Sequence, residues 1–134
     1  MDDDDRRRIG EQVRREVLGD AHVDRTQATS LPESREFQDF ITRVAWGDVW
    51  ARPGLDRRTR SCLTIALLAT LGHWDEFALH VRAGIRNGLT RDEIAEVLLH
   101  TSVYAGVPVA NHALTLAWRA LDDESPAPAS AGSP

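Results

Sequence analysis

Residues 57–71 read RRTRSCLTIALLATL, and beyond the first turn apolar side chains occupy nearly every face of a helix. Asp56 precedes this run as a suitable N-cap, and Gly72 follows it where a helix ends readily. Its longest apolar stretch, residues 62–71, contains two threonines and is far shorter than the ~20 residues of a membrane span. We therefore predict a central, buried helix in a soluble, cytoplasmic protein.

The segments on both sides of this run indicate further helices, and no segment shows the sustained alternation of a β-strand. Residues 74–87 form one such segment. Thr90 and Glu93 fit a capping box, in which two side chains satisfy free backbone donors at a helix start. In the other helices, the residues expected to face inward are Ile9, Val13, Val17 and Leu18; Phe37, Phe40, Ile41, Val44 and Ala45; Ile94, Val97, Leu98, Thr101 and Tyr104; and Ala110, Ala113, Leu114, Ala117 and Trp118.

These patterns predict an all-α fold, with a single helical domain of about six helices over residues 1–121. Residues 19–25 are expected to form a polar connector within it. From residue 122 to residue 134 the chain has no hydrophobic residue larger than alanine, which is typical of a disordered tail. The length of 134 residues suits one compact core.

Charge and cysteine content exclude several classes of function. All 16 basic residues are arginines, and 21 acidic residues give a net charge of −5. A chain without lysine cannot form a lysine Schiff base or a P-loop, and no broad positive field favours nucleic acid. The single cysteine, Cys62, excludes an internal disulfide, a Cys-x-x-Cys pair and a Cys-rich zinc site. We expect neither a nucleic-acid nor a membrane partner.

Glu76 and His80 are four residues apart on one predicted helix, so their side chains share a face and can meet directly. A carboxylate beside an imidazole stabilises the imidazolium and orients the ring, as a proton donor or acceptor near neutral pH requires. A solvated acid–base pair is the alternative, but apolar residues leave little of this helix facing solvent. Ala83 and Gly84 continue the face with small groups, which leaves room for a ligand.

The remaining polar side chains indicate no metal site. No His-Glu-x-x-His motif occurs, and only Glu76 and His80 have ligand-like spacing. His22 lies in the polar connector, and His100 with Tyr104 four residues later can border a pocket. Arginine is the only permanent cation in the chain, and an arginine near the Glu76–His80 face would hold a carboxylate through a bidentate fork.

Taken together, several stretches from about Arg14 to Trp118 resemble the 4-carboxymuconolactone decarboxylase family. They are GDAHVDR at 19–25, EFQ at 36–38, ITRVAWG at 41–47, RPGL at 52–55, TRSCLTIA at 59–66, EFALH with RA at 76–80 and 82–83, NGLTRDEI at 87–94 and YAGVPVAN at 104–111. Peroxidases of the wider alkylhydroperoxidase-like superfamily need a Cys-x-x-Cys pair that this chain lacks. His100 and Ala105 depart from the family pattern, and these departures argue against a catalytic thiol.

The resemblance implies an alkylhydroperoxidase-like fold and a cofactor-free carboxy-lyase of protocatechuate catabolism, in the β-ketoadipate pathway. Such an enzyme converts 4-carboxymuconolactone into 3-oxoadipate enol-lactone and carbon dioxide. The roles implied are protonation or oxyanion stabilisation for His80 and orientation for Glu76. The residues implied to bind the substrate, a lactone dicarboxylate, are Arg43 or Arg60, with His22 and Tyr104 as further walls. A homo-oligomer, a hexamer with active sites near subunit contacts, is also implied.

Two other functions stay open on the sequence alone. One is a non-catalytic, oligomeric protein that binds a small ligand on the same fold, in which Glu76 and His80 are structural. The other is a thiol-independent relative of the alkylhydroperoxidases, while a thiol peroxidase is disfavoured by the single cysteine. Turnover of the lactone separates these functions from the decarboxylase.

Overall fold

The computed structural model describes residues 1–123, which contain seven α-helices and no strand. The predicted all-α class is therefore confirmed. The described residues fall into two compact units, an N-terminal unit of residues 1–57 and a C-terminal unit of residues 58–123. The tail predicted over residues 122–134 lies outside the described residues from 124 onward, and residue 122 still belongs to the last helix.

The N-terminal unit is built around its first helix. Its elements are α1 (Asp3–Leu18), α2 (Asp20–Thr29), a 3₁₀ turn (Pro32–Ser34), α3 (Arg35–Ile41) and a π-helix (Thr42–Trp50). α1 packs against both α2 and the π-helix, and α3 leads directly into the π-helix.

α1 crosses the π-helix with the two backbones in direct contact. A Cβ added to Gly10 would lie 1.9 Å from the carbonyl oxygen of Thr42. One added to Gly47 would lie 2.7 Å from the carbonyl oxygen of Arg6. Because glycine has no Cβ, these two positions allow an approach that any larger residue would prevent.

Residues 19–25 are not the predicted polar connector, because α2 begins at Asp20. Gly19, with φ of 92°, separates α2 from α1. Arg15 Nη1 reaches Asp20 Oδ1 at 3.1 Å and Asp24 Oδ1 at 2.8 Å, and these ion pairs hold α2 against α1. The polar residues of this segment lie on α2. This additional helix is the reason that the described residues contain seven α-helices, whereas the sequence predicts about six.

The predicted apolar stripe from Phe37 to Ala45 is wrong. Phe37 and Phe40 are 54% and 52% exposed, whereas the buried residues in this part of the chain are Thr42, Trp46 and Gly47. The α-helical period ends at residue 41, and the π-helix that follows forms its hydrogen bonds over five residues instead of four. The inward face therefore shifts along the sequence.

The C-terminal unit contains α4 (Arg57–Leu71) from its second residue onward, α5 (Trp74–Arg86), α6 (Arg91–Ala105) and α7 (Val107–Asp122). α5 and α6 each pack against α7. The core cluster comprises Ile65, Ala69, Phe77, Val81, Leu89, Ile94, Leu98, Ala113 and Ala117. Within residues 1–123, no helix combines the length and apolarity that crossing a membrane requires.

Local signals in this unit are confirmed where they concern helix ends. α4 has the predicted bounds, and Gly72 after it has φ of 74°. The capping box is formed: Thr90 N donates to Glu93 Oε1 at 2.9 Å, and Glu93 N donates to Thr90 Oγ1 at 3.1 Å.

The burial predicted for α4 is wrong, as is the inward orientation of Tyr104 on α6. α4 buries one narrow stripe, formed by Ser61, Ile65 and Ala69. On its other side, Leu63, Leu67 and Leu71 are 49%, 59% and 63% exposed, and Tyr104 is 81% exposed. Apolar residues all round a helix therefore do not place every face in the core of this chain.

Candidate active site

α5 carries Glu76 and His80 about one turn apart. Acidic Asp75 and Glu76 occupy its first turn and Arg86 its last turn, which suits the helix dipole. His80 is only 4% exposed, whereas Glu76 is partly exposed. The imidazole is thus enclosed by protein, and a solvated acid–base pair does not describe it.

The direct contact expected between Glu76 and His80 stays a prediction. Glu76 is partly exposed and His80 is buried, so the two residues differ in their access to solvent.

The space for a ligand that the small residues of this face predict is not present beside Gly84. A Cβ there would lie 3.1 Å from Leu89 Cδ1 and 3.2 Å from Ile65 Cδ1. The side chains of the core therefore fill the space beside Gly84, and Ala83 is buried as well.

A buried polar contact continues the face at the end of α5. Asn87 Nδ2 donates to Ser61 Oγ at 3.2 Å, and Ser61 is 1% exposed. The burial of Ser61 cannot be predicted from its residue type alone. Its spacing of four from Ile65 and eight from Ala69 is the signal that could have placed it on the buried stripe of α4.

Arg60 and Tyr104 are the other predicted site residues of the C-terminal unit. Arg60 is on α4, partly exposed, with its Nε buried, and Thr64 Oγ1 donates to its carbonyl oxygen at 2.8 Å. Tyr104 is exposed, with its ring centroid 5.3 Å from that of His100. Both rings lie on the exposed surface of α6, so neither borders an enclosed pocket in this unit.

Arg43 belongs to the N-terminal unit, where it pairs with a carboxylate. Its Nε donates to Asp39 Oδ2 at 2.8 Å. Hydrogen bonds from Arg7 and then Arg43 lower the pKa of Asp39 to about 2. Arg43 and Asp39 line an open pocket of about 500 Å³ together with Arg35 and Glu36.

His22 lies on α2 of the same unit and is partly buried. Its Nε2 is 3.4 Å from Thr26 Oγ1, and that hydroxyl donates to the His22 carbonyl oxygen at 3.0 Å. Over residues 1–123, no group of three or more His, Cys, Asp or Glu side chains could hold a metal ion. Of the predicted site residues, the C-terminal unit thus contains Glu76, His80, Arg60 and Tyr104, and the N-terminal unit contains Arg43 and His22.

Comparison with known proteins assigns these residues to a family. Residues 35–119 match the carboxymuconolactone decarboxylase family. The chain is 48% identical over 128 residues to a 4-carboxymuconolactone decarboxylase of Acinetobacter baylyi, covering 96% of each chain. It is 42% identical over 114 residues to a nitrosuccinic acid decarboxylase of Metarhizium robertsii, covering 85% of this chain and 80% of the relative. From its sequence and its helical structure, the chain belongs to the carboxymuconolactone decarboxylase family.

Proposed function

We propose that this chain is a carboxy-lyase that converts 4-carboxymuconolactone into 3-oxoadipate enol-lactone and carbon dioxide. The observation that carries the proposal is the 48% identity, over 96% of both chains, to a relative of that name. The buried His80, with a carboxylate one turn away, supports it with a group suited to proton transfer. We place the reaction in the protocatechuate branch of the β-ketoadipate pathway and in the cytoplasm.

The substrate can lose its carboxylate without a cofactor. The departing group is attached to a ring carbon that is conjugated through an alkene to the lactone carbonyl. When the bond to carbon dioxide breaks, its electron pair delocalises onto that carbonyl oxygen as a dienolate. A proton delivered to the α-carbon then gives the enol-lactone. The protein must hold the carboxylates, exclude water and supply the proton.

We assign the proton transfer or the stabilisation of the dienolate oxygen to His80, and its orientation and charge balance to Glu76. The enclosure of His80 supports this assignment, because electrostatic interactions are stronger where water is excluded. Carboxylate anchoring is assigned to Arg60 or Arg43, with His22 and Tyr104 as further substrate contacts.

Carbon dioxide release from enzymatically generated 4-carboxymuconolactone tests the proposal. We expect release above the spontaneous rate, together with formation of the enol-lactone. Binding of the lactone without release would instead indicate a non-catalytic ligand-binding protein.

Nitrosuccinic acid is the second substrate to assay, because of the 42% identical relative. This acid also carries two carboxylates, and its nitro group accepts electrons as the lactone carbonyl does. A kcat/KM for nitrosuccinate that exceeds the value for the lactone would reassign the substrate while keeping the reaction type.

Chelation gives a further expected result: carbon dioxide release should survive exhaustive treatment with EDTA and dialysis. The electron sink is within the substrate, and no described group of side chains has the number of ligands that a metal site needs. The same preparation supplemented with Mg²⁺, Mn²⁺ or Zn²⁺ serves as the comparison. Activity that disappears on chelation and returns with one particular ion would contradict the prediction.

We also propose a homo-oligomer, and the family resemblance favours a hexamer. Leu63, Leu67 and Leu71 form an exposed apolar stripe at intervals of four residues on α4. Contiguous apolar surface of this kind is typical of contacts between proteins. The stripe is therefore a surface that a second copy of the chain would cover.

A charge in the centre of this stripe is expected to weaken the assembly. Leu67→Glu should lower the sedimentation coefficient at micromolar concentration, because an interface cannot bury the new carboxylate without a partner. Thr115→Glu is the matched control, since Thr115 is the centre of an exposed polar row with Asn111 and Arg119 on α7. A monomeric wild type, or equal dissociation by both variants, would contradict the role of the stripe.

A further inference from the structure

Arg14 on α1 is a buried arginine whose guanidinium lacks the partners that its charge requires. The residue is 2% exposed. Its Nε and Nη2 are enclosed by protein and donate to no residue that the structure describes. Burial lowers the pKa of the guanidinium, and the nearby Glu11 carboxylate opposes this only in part. Burying a cation in this way is unfavourable unless a partner is supplied.

The arginines around it show that carboxylates are plentiful in this unit. Arg15, the next residue, pairs with Asp20 and Asp24 on α2. Arg6, two turns earlier on α1, pairs with Asp48. Arg14 is thus not an ordinary structural arginine of the N-terminal unit, because the carboxylates of α1 and α2 are paired with its neighbours.

The two nitrogens concerned are those that form a side-on bidentate fork. Arg6 uses the same pair, donating its Nε to Asp48 Oδ1 at 2.9 Å and its Nη2 to Asp48 Oδ2. A carboxylate accepts two parallel hydrogen bonds from such a fork, as a phosphate also does. In Arg14 the same edge is turned into protein and unused.

The neighbouring helix contributes a second donor of this kind. Gln27 Nε2 donates to Glu11 Oε1 at 3.0 Å, and Arg15 Nη2 donates to Gln27 Oε1 at 3.2 Å, so this part of α1 lies alongside the end of α2. On α2, Arg25 Nε is also buried and donates to no described residue. α1 and α2 therefore each contain an arginine, Arg14 and Arg25, with a buried guanidinium N–H that has no described acceptor.

We propose that Arg14 is the receptor for a carboxylate group of a small ligand, held through its Nε–Nη2 fork. The identity of the ligand, a lactone dicarboxylate, rests on the function proposed above, whereas the existence of the site rests on the buried fork. Arg14 then determines specificity by binding one carboxylate of the substrate.

Binding and kinetics of Arg14 variants test this site in the full-length chain. Arg14→Met removes the fork at similar volume, Arg14→Lys keeps the charge without the fork, and Arg8→Met is the control on an exposed arginine of α1. We expect both Arg14 variants to weaken succinate binding and to raise KM for the lactone by about 10- to 100-fold, as for loss of charge-assisted hydrogen bonds. The Tm of Arg14→Met should stay equal or rise, because it removes an unpartnered buried charge.

Several outcomes would overturn the proposal. These are a wild-type KM and succinate affinity in Arg14→Met, failure of both Arg14 variants to fold, and Arg14-dependent binding of inorganic phosphate without binding of succinate. Turnover that ignores Arg14 would overturn the site and leave the proposed function intact. Arg14-dependent succinate binding in a wild-type chain that releases no carbon dioxide would overturn the function and leave the site.

Discussion

His80→Ala is expected to lower kcat for carbon dioxide release by about 10²- to 10⁴-fold, the range that general acid–base groups contribute. His80 is 4% exposed. Its imidazole lies on the same helix, α5, as the Glu76 carboxylate. In the role proposed for His80, its removal eliminates the proton transfer or the stabilisation of the dienolate oxygen, whereas binding of the two carboxylates is retained. The loss should therefore appear in kcat, with KM changed far less.

Two comparisons make this result specific. His73→Ala, at an exposed position before α5 where the side chain forms no cap, should leave kcat unchanged. Glu76→Gln should have a milder effect than His80→Ala if the carboxylate acts by orientation. Circular dichroism and sedimentation of each variant check that fold and assembly are intact. A rate for His80→Ala within about tenfold of wild type would remove His80 from the mechanism.

Gly10→Ala is expected to lower the free energy of unfolding by about 3 kcal/mol or more, at the upper end of overpacking effects. Replacing glycine by alanine within an exposed helix normally stabilises it by about 1 kcal/mol. At Gly10 the sign reverses, because the new Cβ would lie 1.9 Å from the carbonyl oxygen of Thr42. That oxygen belongs to a helix backbone, so no side-chain rotation relieves the overlap.

Urea denaturation measures this effect directly. Gly54→Ala is the matched control, because a Cβ at Gly54 meets nothing within 4 Å and its φ is not positive. The control should be as stable as wild type or slightly more stable. A Gly10→Ala chain with the stability of the control would show that α1 and the π-helix do not cross as closely as described.

Signals carried by adjacent residues predicted the C-terminal unit well. The bounds of α4 and the capping box of α6 depend on side chains within a few positions of each other. The placement of Glu76 and His80 on one helix was predicted for the same reason, since a spacing of four fixes a shared helix face. Roles in catalysis stay predictions, because a face shared by two residues does not show what they bind.

The features that were missed depend on contacts distant in sequence. α2 is held by polar pairs with α1, such as Arg15 with Asp24, and these leave no hydrophobic period. The π-helix accompanies a glycine contact between Gly10 and Thr42, which lie on different helices. Ser61 and Arg14 are polar residues at core positions, so residue type alone suggests the opposite of their burial.

The crossing of α1 and the π-helix also limits how this part of the chain can change during evolution. Where a core is built from side chains, a group gained at one position can be offset by a smaller residue on the neighbouring helix. No such exchange is open to Gly10, because the atom nearest to its missing Cβ is a main-chain carbonyl oxygen. Every residue type at position 42 carries that oxygen. A larger residue at position 10 can be accommodated only if a whole helix shifts, and single compensating substitutions cannot supply that movement.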